Sequence, residues 1–435
     1  MARLGNLNGD LERWCERFYR PLSIACLALA VFNLGFRLDQ EVVTTWDESL
    51  YATTAAEIVK SGQWIGTTFH GALDYYNAKP PLNVWLIAVS FKLFGLNLWS
   101  LRLASAFATW VTVAVLQSWA RRVFGSAVAI LSSVVLGTTF AFLYVHSGRS
   151  ANPDALLALV VLLTVTTLWR ASEQPWRLVW LGPLLAAAFL LKGMAVLMPL
   201  SIVVAVCGWR GIIAAARMPL LSATLAFAAP IAGWVVARMN VDRGTFFRPL
   251  FRVDFISGVT TALDGHKGSP FYYLDVLQRD QYDWLVATLL VWLLLYPTAR
   301  TVLSVGARHR SSVDLRVLLA SWLAATLIIP TLMSTKLAWY LNPFYPVFAL
   351  GIGLAVSRSW TGNGTGVARW RRVGAIAVLG CAIVVAESKL LWYSYHKRDL
   401  QSSVQGMLLA EKVRLRGRRV YRSDWQYGDQ LLALT

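Results

Sequence analysis

Charge is scarce in this chain. Only 15% of its 435 residues are Asp, Glu, Lys or Arg, against about 25% in an ordinary soluble domain. That shortage, with a hydrophobic share of 57% and a mean hydropathy of +0.52, excludes a soluble globular chain. Cysteine is scarce too. Cys15 lies in the N-terminal tail, and Cys26, Cys207 and Cys381 lie in or beside apolar runs. None sits in a long polar loop, so no disulfide is expected. Walker and Rossmann glycine loops are missing, and so are CxxC pairs, which removes the usual nucleotide and zinc-ribbon chemistries. Acids are outnumbered by bases, giving a net charge of +18. In a soluble protein that would suggest nucleic acid. Here bases flanking apolar runs are better read as orienting them in a membrane.

What the chain has instead is a series of apolar runs from Pro21 to Trp392. Runs of this length span bilayers only as helices. About eleven spans are expected, near 21–38, 98–120, 124–145, 155–169, 178–191, 194–208, 219–237, 284–299, 317–333, 338–356 and 373–392. Arg13, Arg17 and Arg20 precede the first, with no small-residue cleavage site after it, so an uncleaved anchor is expected. The expected class is an all-α polytopic membrane protein. Residues 1–392 form its transmembrane module, and 393–435 a short extracytoplasmic segment in which Arg419-Val420-Tyr421 can start a strand. No internal repeat is visible.

Alternate loops carry the bases. Arg121/Arg122, Arg170/Arg177, Arg210/Arg217, Arg300/Arg308/Arg310/Arg316 and Arg358/Arg369/Arg371/Arg372 share a side with the N-terminus, which makes that side cytoplasmic. This parity requires residues 178–208 to be two short spans that turn at Lys192-Gly193. The other face then receives Asp47, Glu48, Lys79, Arg149, Asp154, Lys192, His266 and Lys336. A polar set gathered at one face suggests a cavity there. Within 39–97, Ala52–Val59 and Leu82–Phe94 read as amphipathic helices of the interface. The long outer loop 238–283 is rich in aromatics, an ordered segment covering substrate or facing lipid.

Each candidate has a functional and a structural reading. Asp47 and Glu48 can supply a general base at a cavity mouth; Thr45-x-x-Glu48 equally fits a capping box. Lys79-Pro80-Pro81 opens a helix, where an ammonium and free N–H groups suit a phosphate, and proline suits a first turn in any case. Arg149 can grip phosphate bidentately, while Asn152 reads as the cap of the helix starting at Asp154. Lys192 and Lys336, set between apolar segments, are snorkelling or functional. His266, in Asp264-Gly265-His266-Lys267, is a solvated loop residue, a proton carrier or a metal ligand.

These pieces resemble, in order, the lipid-linked-sugar glycosyltransferases of the GT-C superfamily, in particular the bacterial aminoarabinose transferases and the protein O-mannosyltransferases. The likeness is carried by Trp46-Asp47-Glu48-x-x-Tyr51, Gly62-Gln63-Trp64, Lys79-Pro80-Pro81-Leu82 with Trp85, Arg149 to Asp154, and Leu191-Lys192-Gly193. It continues with Gly265-His266 before Phe271-Tyr272-Tyr273, and with Lys336-x-x-x-Tyr340-x-x-Pro343-x-x-Pro346.

The resemblance implies a GT-C-type bundle in the bacterial inner membrane, N-terminus cytoplasmic and active site periplasmic. It implies an inverting transfer of sugar from a polyprenyl phosphate to a hydroxyl of a glycolipid such as lipid A. Asp47 would be the catalytic carboxylate with Glu48 beside it. Lys79, Arg149, Lys192 and Lys336 would serve the donor phosphate, and Tyr51, Tyr76, Asp154, Tyr340 and Tyr345 would line the cavity. The partners are the lipid-linked donor, the acceptor and membrane lipid, not nucleic acid. No nucleotide cofactor is needed, and a divalent metal at His266 is the one cofactor the resemblance raises. Ala78, after Asn77, stands where the aminoarabinose enzymes carry a metal-linked glutamate; Asp74 or Asp264 are the acids available to replace it. Leu50 stands where those enzymes often have arginine. A protein O-glycosyltransferase, or a lipid or solute transporter, are the alternatives.

Overall fold

The computed structural model describes residues 10–44, 46–77, 79–209, 217–252, 261–262, 265–295, 314–361 and 369–396, with a few later positions such as Asp399 and Gln405. Arg210, Arg300, Arg308, Arg310 and the expected strand at Arg419-Val420-Tyr421 lie outside the described residues.

The chain folds as a polytopic bundle of helices. In order they are α1 Asp10–Arg17, α2 Tyr19–Gly35, α3 Asp47–Ser61, α4 Leu82–Phe94, α5 Leu98–Val123, α6 Ser126–Thr138 and α7 Phe140–Tyr144. Then follow α8 Asp154–Ala171, α9 Leu181–Lys192, α10 Leu197–Trp209, α11 Arg217–Asp242, α12 Tyr272–Leu295, α13 Leu315–Leu332, α14 Tyr345–Thr361 and α15 Arg369–His396. Among the described residues, 8 stretches are long and apolar enough to cross a membrane. One of them, Pro175–Gly208, is interrupted at Gly193, where φ is 42°. The shorter α6 and the kinked α12 supply the remaining counterparts of the predicted spans.

Packing shows the sense of the chain at that interruption. Gly182 near the start of α9 lies against Ala223 and Ala226 of α11, and Phe189 near its end lies against Trp234. So α9 and α11 run the same way, and α10 between them runs back. A Cβ at Gly182 would collide with the Ala223 carbonyl oxygen. At Gly353, a Cβ would collide with Ser132, so α14 seats closely on α6. Small residues at such crossings let helices approach where lipid provides no hydrophobic drive. Trp119, Trp284 and Trp322 fill the centre of the core.

Residues 39–97 fold differently from the rest. The helices α3 and α4 pack together, and a two-stranded hairpin lies between them, β1 Thr68–Phe69 against β2 Ala72–Leu73. Its turn uses His70 and Gly71, both at positive φ, the conformation a tight hairpin needs. Glu57 of α3 accepts from Thr68 Oγ1 and Gly71 N. Arg238, buried in α11, pairs with Asp242 at 2.8 Å and donates to the Ile65 carbonyl at 3.0 Å. The expected loop 238–283 is therefore shortened at both ends, since α11 continues to Asp242 and α12 begins at Tyr272.

Two buried ion pairs fix the segment before α3. Arg102 of α5 meets Glu48 at 2.8 Å, with both side chains fully enclosed. Arg102 also donates to the carbonyls of Leu38, Glu41 and Val42. Glu48 accepts in addition from Thr44 N and Oγ1 and from Ala151 N. Arg149 meets Glu41 at 2.6 Å and donates to the carbonyls of Asn33 and Phe36. Gln405 pairs with both backbone groups of Val43, so the tail folds back onto the same segment. Removing one member of a buried pair strands the other, at a cost of about 3–5 kcal/mol. Glu48→Gln is expected to lower the thermal unfolding midpoint in detergent sharply. The control Glu57→Gln, nearer the surface, should move it little. Equal midpoints for the two variants would contradict the anchoring role of Glu48.

Candidate active site

Asp47 is the first residue of α3. The residue before it, Trp46, holds φ at 72°, a region that side chains larger than asparagine rarely enter. Thr45 lies outside the described residues; Thr44 makes the reciprocal contact with Glu48 instead. The strained entry and the Glu48 anchor together aim Asp47 away from the buried pair.

Lys79 enters from the turn before α4. Its ammonium lies 3.4 Å from Asp47 Oδ1 and 2.8 Å from the Tyr51 hydroxyl, one helical turn along α3. The other carboxylate oxygen of Asp47 lies 3.8 Å from His146 Nδ1. His146 is also at positive φ, 51°, and its ring stacks flat on Trp339 at 3.7 Å. On the far side Lys192, at the end of α9, bonds Asp154 at 2.5 Å and sits 5.0 Å over the Tyr340 ring. Five separate segments thus bring two carboxylates, two ammonium groups and an imidazole together.

Burial alone would raise the Asp47 carboxyl. Lys79, followed by His146 and Lys192, outweighs it and holds the group below the ordinary carboxylate value. Burial pushes His146 below its usual value; Asp47 and Asp154 oppose that, while Lys192 and Lys79 reinforce it. Burial and then Asp47 push the Tyr51 hydroxyl up. At neutral pH the cluster therefore holds ionised Asp47, a neutral imidazole and a protonated Tyr51.

Not every predicted residue joins it. Glu48 faces Arg102, and both its oxygens are engaged inside the protein. Arg149 faces Glu41. Tyr345 is buried beside Phe142 and Phe344, and Tyr76 is exposed in the turn where Asp74 accepts its backbone N–H. Lys336 donates to the carbonyls of Pro330, Thr331 and Met333, closing the end of α13. Its own N–H reaches the His266 carbonyl. Lys336 lines a separate hollow of about 710 Å³ with Thr261, Lys267 and Gly268, to which Asp47 and Lys79 do not contribute. Asp264 and Ala78 lie outside the described residues. Among the described residues no group of three His, Cys, Asp or Glu side chains is placed to hold a metal ion, at His266 or elsewhere. Asn152 does not cap α8: its amide turns to Ser150, and the cap position is Pro153.

The reading of the sequence missed His146 and Trp339. A histidine three residues before Arg149 was a signal, but nothing local marks Asp47 as its neighbour.

Comparison with known proteins agrees with this architecture. Residues 78–235 match the family described as dolichyl-phosphate-mannose-protein mannosyltransferase. An undecaprenyl phosphate-alpha-4-amino-4-deoxy-L-arabinose arabinosyl transferase of Pseudomonas fluorescens is 28% identical over 351 residues, covering 78% of this chain and 58% of that protein. A protein of the same description from Pseudomonas savastanoi is 33% identical over 176 residues, covering 38% of this chain and 32% of its own length. Among solved structures, ArnT from Cupriavidus metallidurans bound to undecaprenyl phosphate superposes with a TM-score of 0.64 at 19% identity, covering 95% of this chain and 76% of that one. The apo oligosaccharyltransferase of Archaeoglobus fulgidus gives 0.54 at 12% identity, over 97% and 64%. The chain has the GT-C fold and is related to these membrane glycosyltransferases, although its match spans less than two thirds of the length of the curated relatives.

Lys79→Met removes the strongest influence opposing burial at Asp47. The carboxyl should then protonate at higher pH than in the parent protein. The infrared carboxylic-acid band lost on adding Asp47→Asn to each background reports this; a band titrating at the same pH in both would contradict the coupling.

Proposed function

We propose that the chain transfers a sugar from a polyprenyl-phosphate donor to a hydroxyl acceptor, with inversion, at the Asp47–Lys79 cluster. The observation that carries this reading is the meeting of Asp47 with Lys79 at 3.4 Å from neighbouring helices. One group is a base for the incoming alcohol and the other a cation for the departing phosphate. The relatives act with lipid-phosphate sugars according to their descriptions, which supports the donor class.

The chemistry needs a proton acceptor and a place for negative charge. Asp47 is ionised and takes the acceptor proton as the alcohol oxygen attacks the anomeric carbon. The bond from that carbon to the phosphate oxygen breaks with its electron pair on the phosphate. Lys79 is set to stabilise that growing charge, and Lys192, now held by Asp154, is the second ammonium within reach. The Tyr51 hydroxyl accepts from Lys79 and fixes its direction. Arg149 and Glu48 contribute through the fold, by holding the segment that carries Asp47. The distribution of bases along the sequence favours an extracytoplasmic site.

A glycolipid acceptor is the preferred reading, and a protein hydroxyl is the second, favoured by the mannosyltransferase match over residues 78–235. Mass spectrometry of lipopolysaccharide and envelope proteins from a deletion strain separates them. With purified protein in detergent and a radiolabelled polyprenyl-phosphate sugar, Asp47→Asn should reduce transfer about 10²–10⁴-fold, the usual worth of a positioned base. Lys79→Ala should chiefly weaken donor binding, by roughly 1.5–3 kcal/mol for a lost charged hydrogen bond. Near-normal turnover by the asparagine variant would remove the base assignment. Absence of transfer by the unaltered protein in detergent, with uptake only in sealed vesicles, would favour a transporter.

A further inference from the structure

Asp47 poses a problem as a base. Lys79 makes it a weak one, and a proton placed on it beside an ammonium must be passed on quickly. The neutral group next to it is His146, 3.8 Å from Oδ2, on the side of the carboxylate away from Lys79. His146 Nδ1 is buried without a hydrogen bond. Its ring is held face to face on Trp339, with planes 9° apart, so it can tilt little but slide edge-on toward the carboxylate. Its backbone occupies the left-handed region, and strain of this kind persists where the surrounding structure demands it.

We propose that His146 is the proton relay of this site, receiving from Asp47 the proton removed from the acceptor hydroxyl. This rests on the transferase reading above. The new carbon–oxygen bond forms as the anomeric carbon–phosphate oxygen bond breaks, its electron pair leaving with the lipid phosphate. The hydroxyl proton moves to Asp47 Oδ2, then to Nδ1 of an imidazole that carries its hydrogen on Nε2. The imidazolium gives its Nε2 proton to water, and the ring returns to the starting tautomer through solvent exchange. Asp47 is ionised again and the charges balance.

The groups facing His146 are Asp47 of α3, Asp154 of α8, Lys192 of α9 and Lys79 before α4, with Trp339 covering its ring. Arg149, on its own segment, is occupied by Glu41. Burial lowers the imidazole from its ordinary 6.5. A relay must start neutral, so transfer should fail as pH falls below the ordinary imidazole value of 6.5 and the ring takes up a proton.

The informative substitution is His146→Asn, because asparagine accepts the same left-handed backbone. With the radiolabelled lipid-sugar assay, kcat should fall about 100-fold, the low end of what proton transfer contributes. The donor KM should be unchanged, and the acid limb of kcat should move to lower pH. An unchanged kcat and limb would overturn the relay. If that variant does not purify folded, His146→Gln takes its place, and an unchanged kcat and limb in it overturn the proposal. A second readout is independent of turnover. Of 5 histidines, the one whose NMR signal disappears in His146→Asn should titrate at lower pH in Asp47→Asn, because a carboxylate favouring the imidazolium has gone. No movement of that titration also overturns the proposal. Loss of transfer in the unaltered protein with the NMR coupling intact would instead sink the transferase reading.

Discussion

The enclosed pair between Glu48 and Arg102 is the constraint on which the site depends. An arginine in the body of a bundle helix has no solvent to turn to, and here its donors are met by one carboxylate and three backbone carbonyls. Those carbonyls belong to the turn that leads into α3. Once Glu48 is fixed by its partner, the preceding residue can point only outward from the pair. Asp47 and Glu48, adjacent in sequence, are thereby divided into a cavity group and an anchor. Arg149 and Glu41 repeat the device on the same turn, and Ser394 from α15 adds a hydrogen bond to Glu41. The segment that carries Asp47 is supported from α2, α5, the 146–152 segment and α15 at once.

Around this segment the charges are balanced pairwise. Lys79 rests near Asp47, and Lys192 on Asp154. A site with two unpaired ammonium groups beside lipid would be costly to maintain, and one with two unpaired carboxylates would repel a phosphate. Aromatic rings lie against three of these groups: Tyr51 by Lys79, Trp339 by His146 and Tyr340 by Lys192.

Much of the bundle was legible in the residues. Every predicted span has a helical counterpart, and the interruption at Lys192-Gly193 falls where the alternation of basic loops calls for a turn. The positions of Asp47, Lys79, Asp154 and Lys192 at helix ends were equally visible. The hairpin at Thr68–Leu73 was not, because two-residue strands carry no period. Nor was the assignment of Arg149, Lys336 and Glu48. As side chains they suit phosphate or acid–base chemistry; their partners, a carboxylate across the bundle, a ring of carbonyls and an enclosed guanidinium, come from residues far off in sequence or from backbone groups that sequence does not display.

The sequence by itself determined that this is a membrane bundle with its charged residues in a fixed order along the chain, because hydrophobic length and helix-end chemistry are local properties. Only the tertiary structure decided which charge meets which, and that His146 joins the cluster while Arg149, three residues later, turns away from it. Electrostatic pairing depends on separations of a few ångströms, and residues from five segments reach those separations only when the helices have packed.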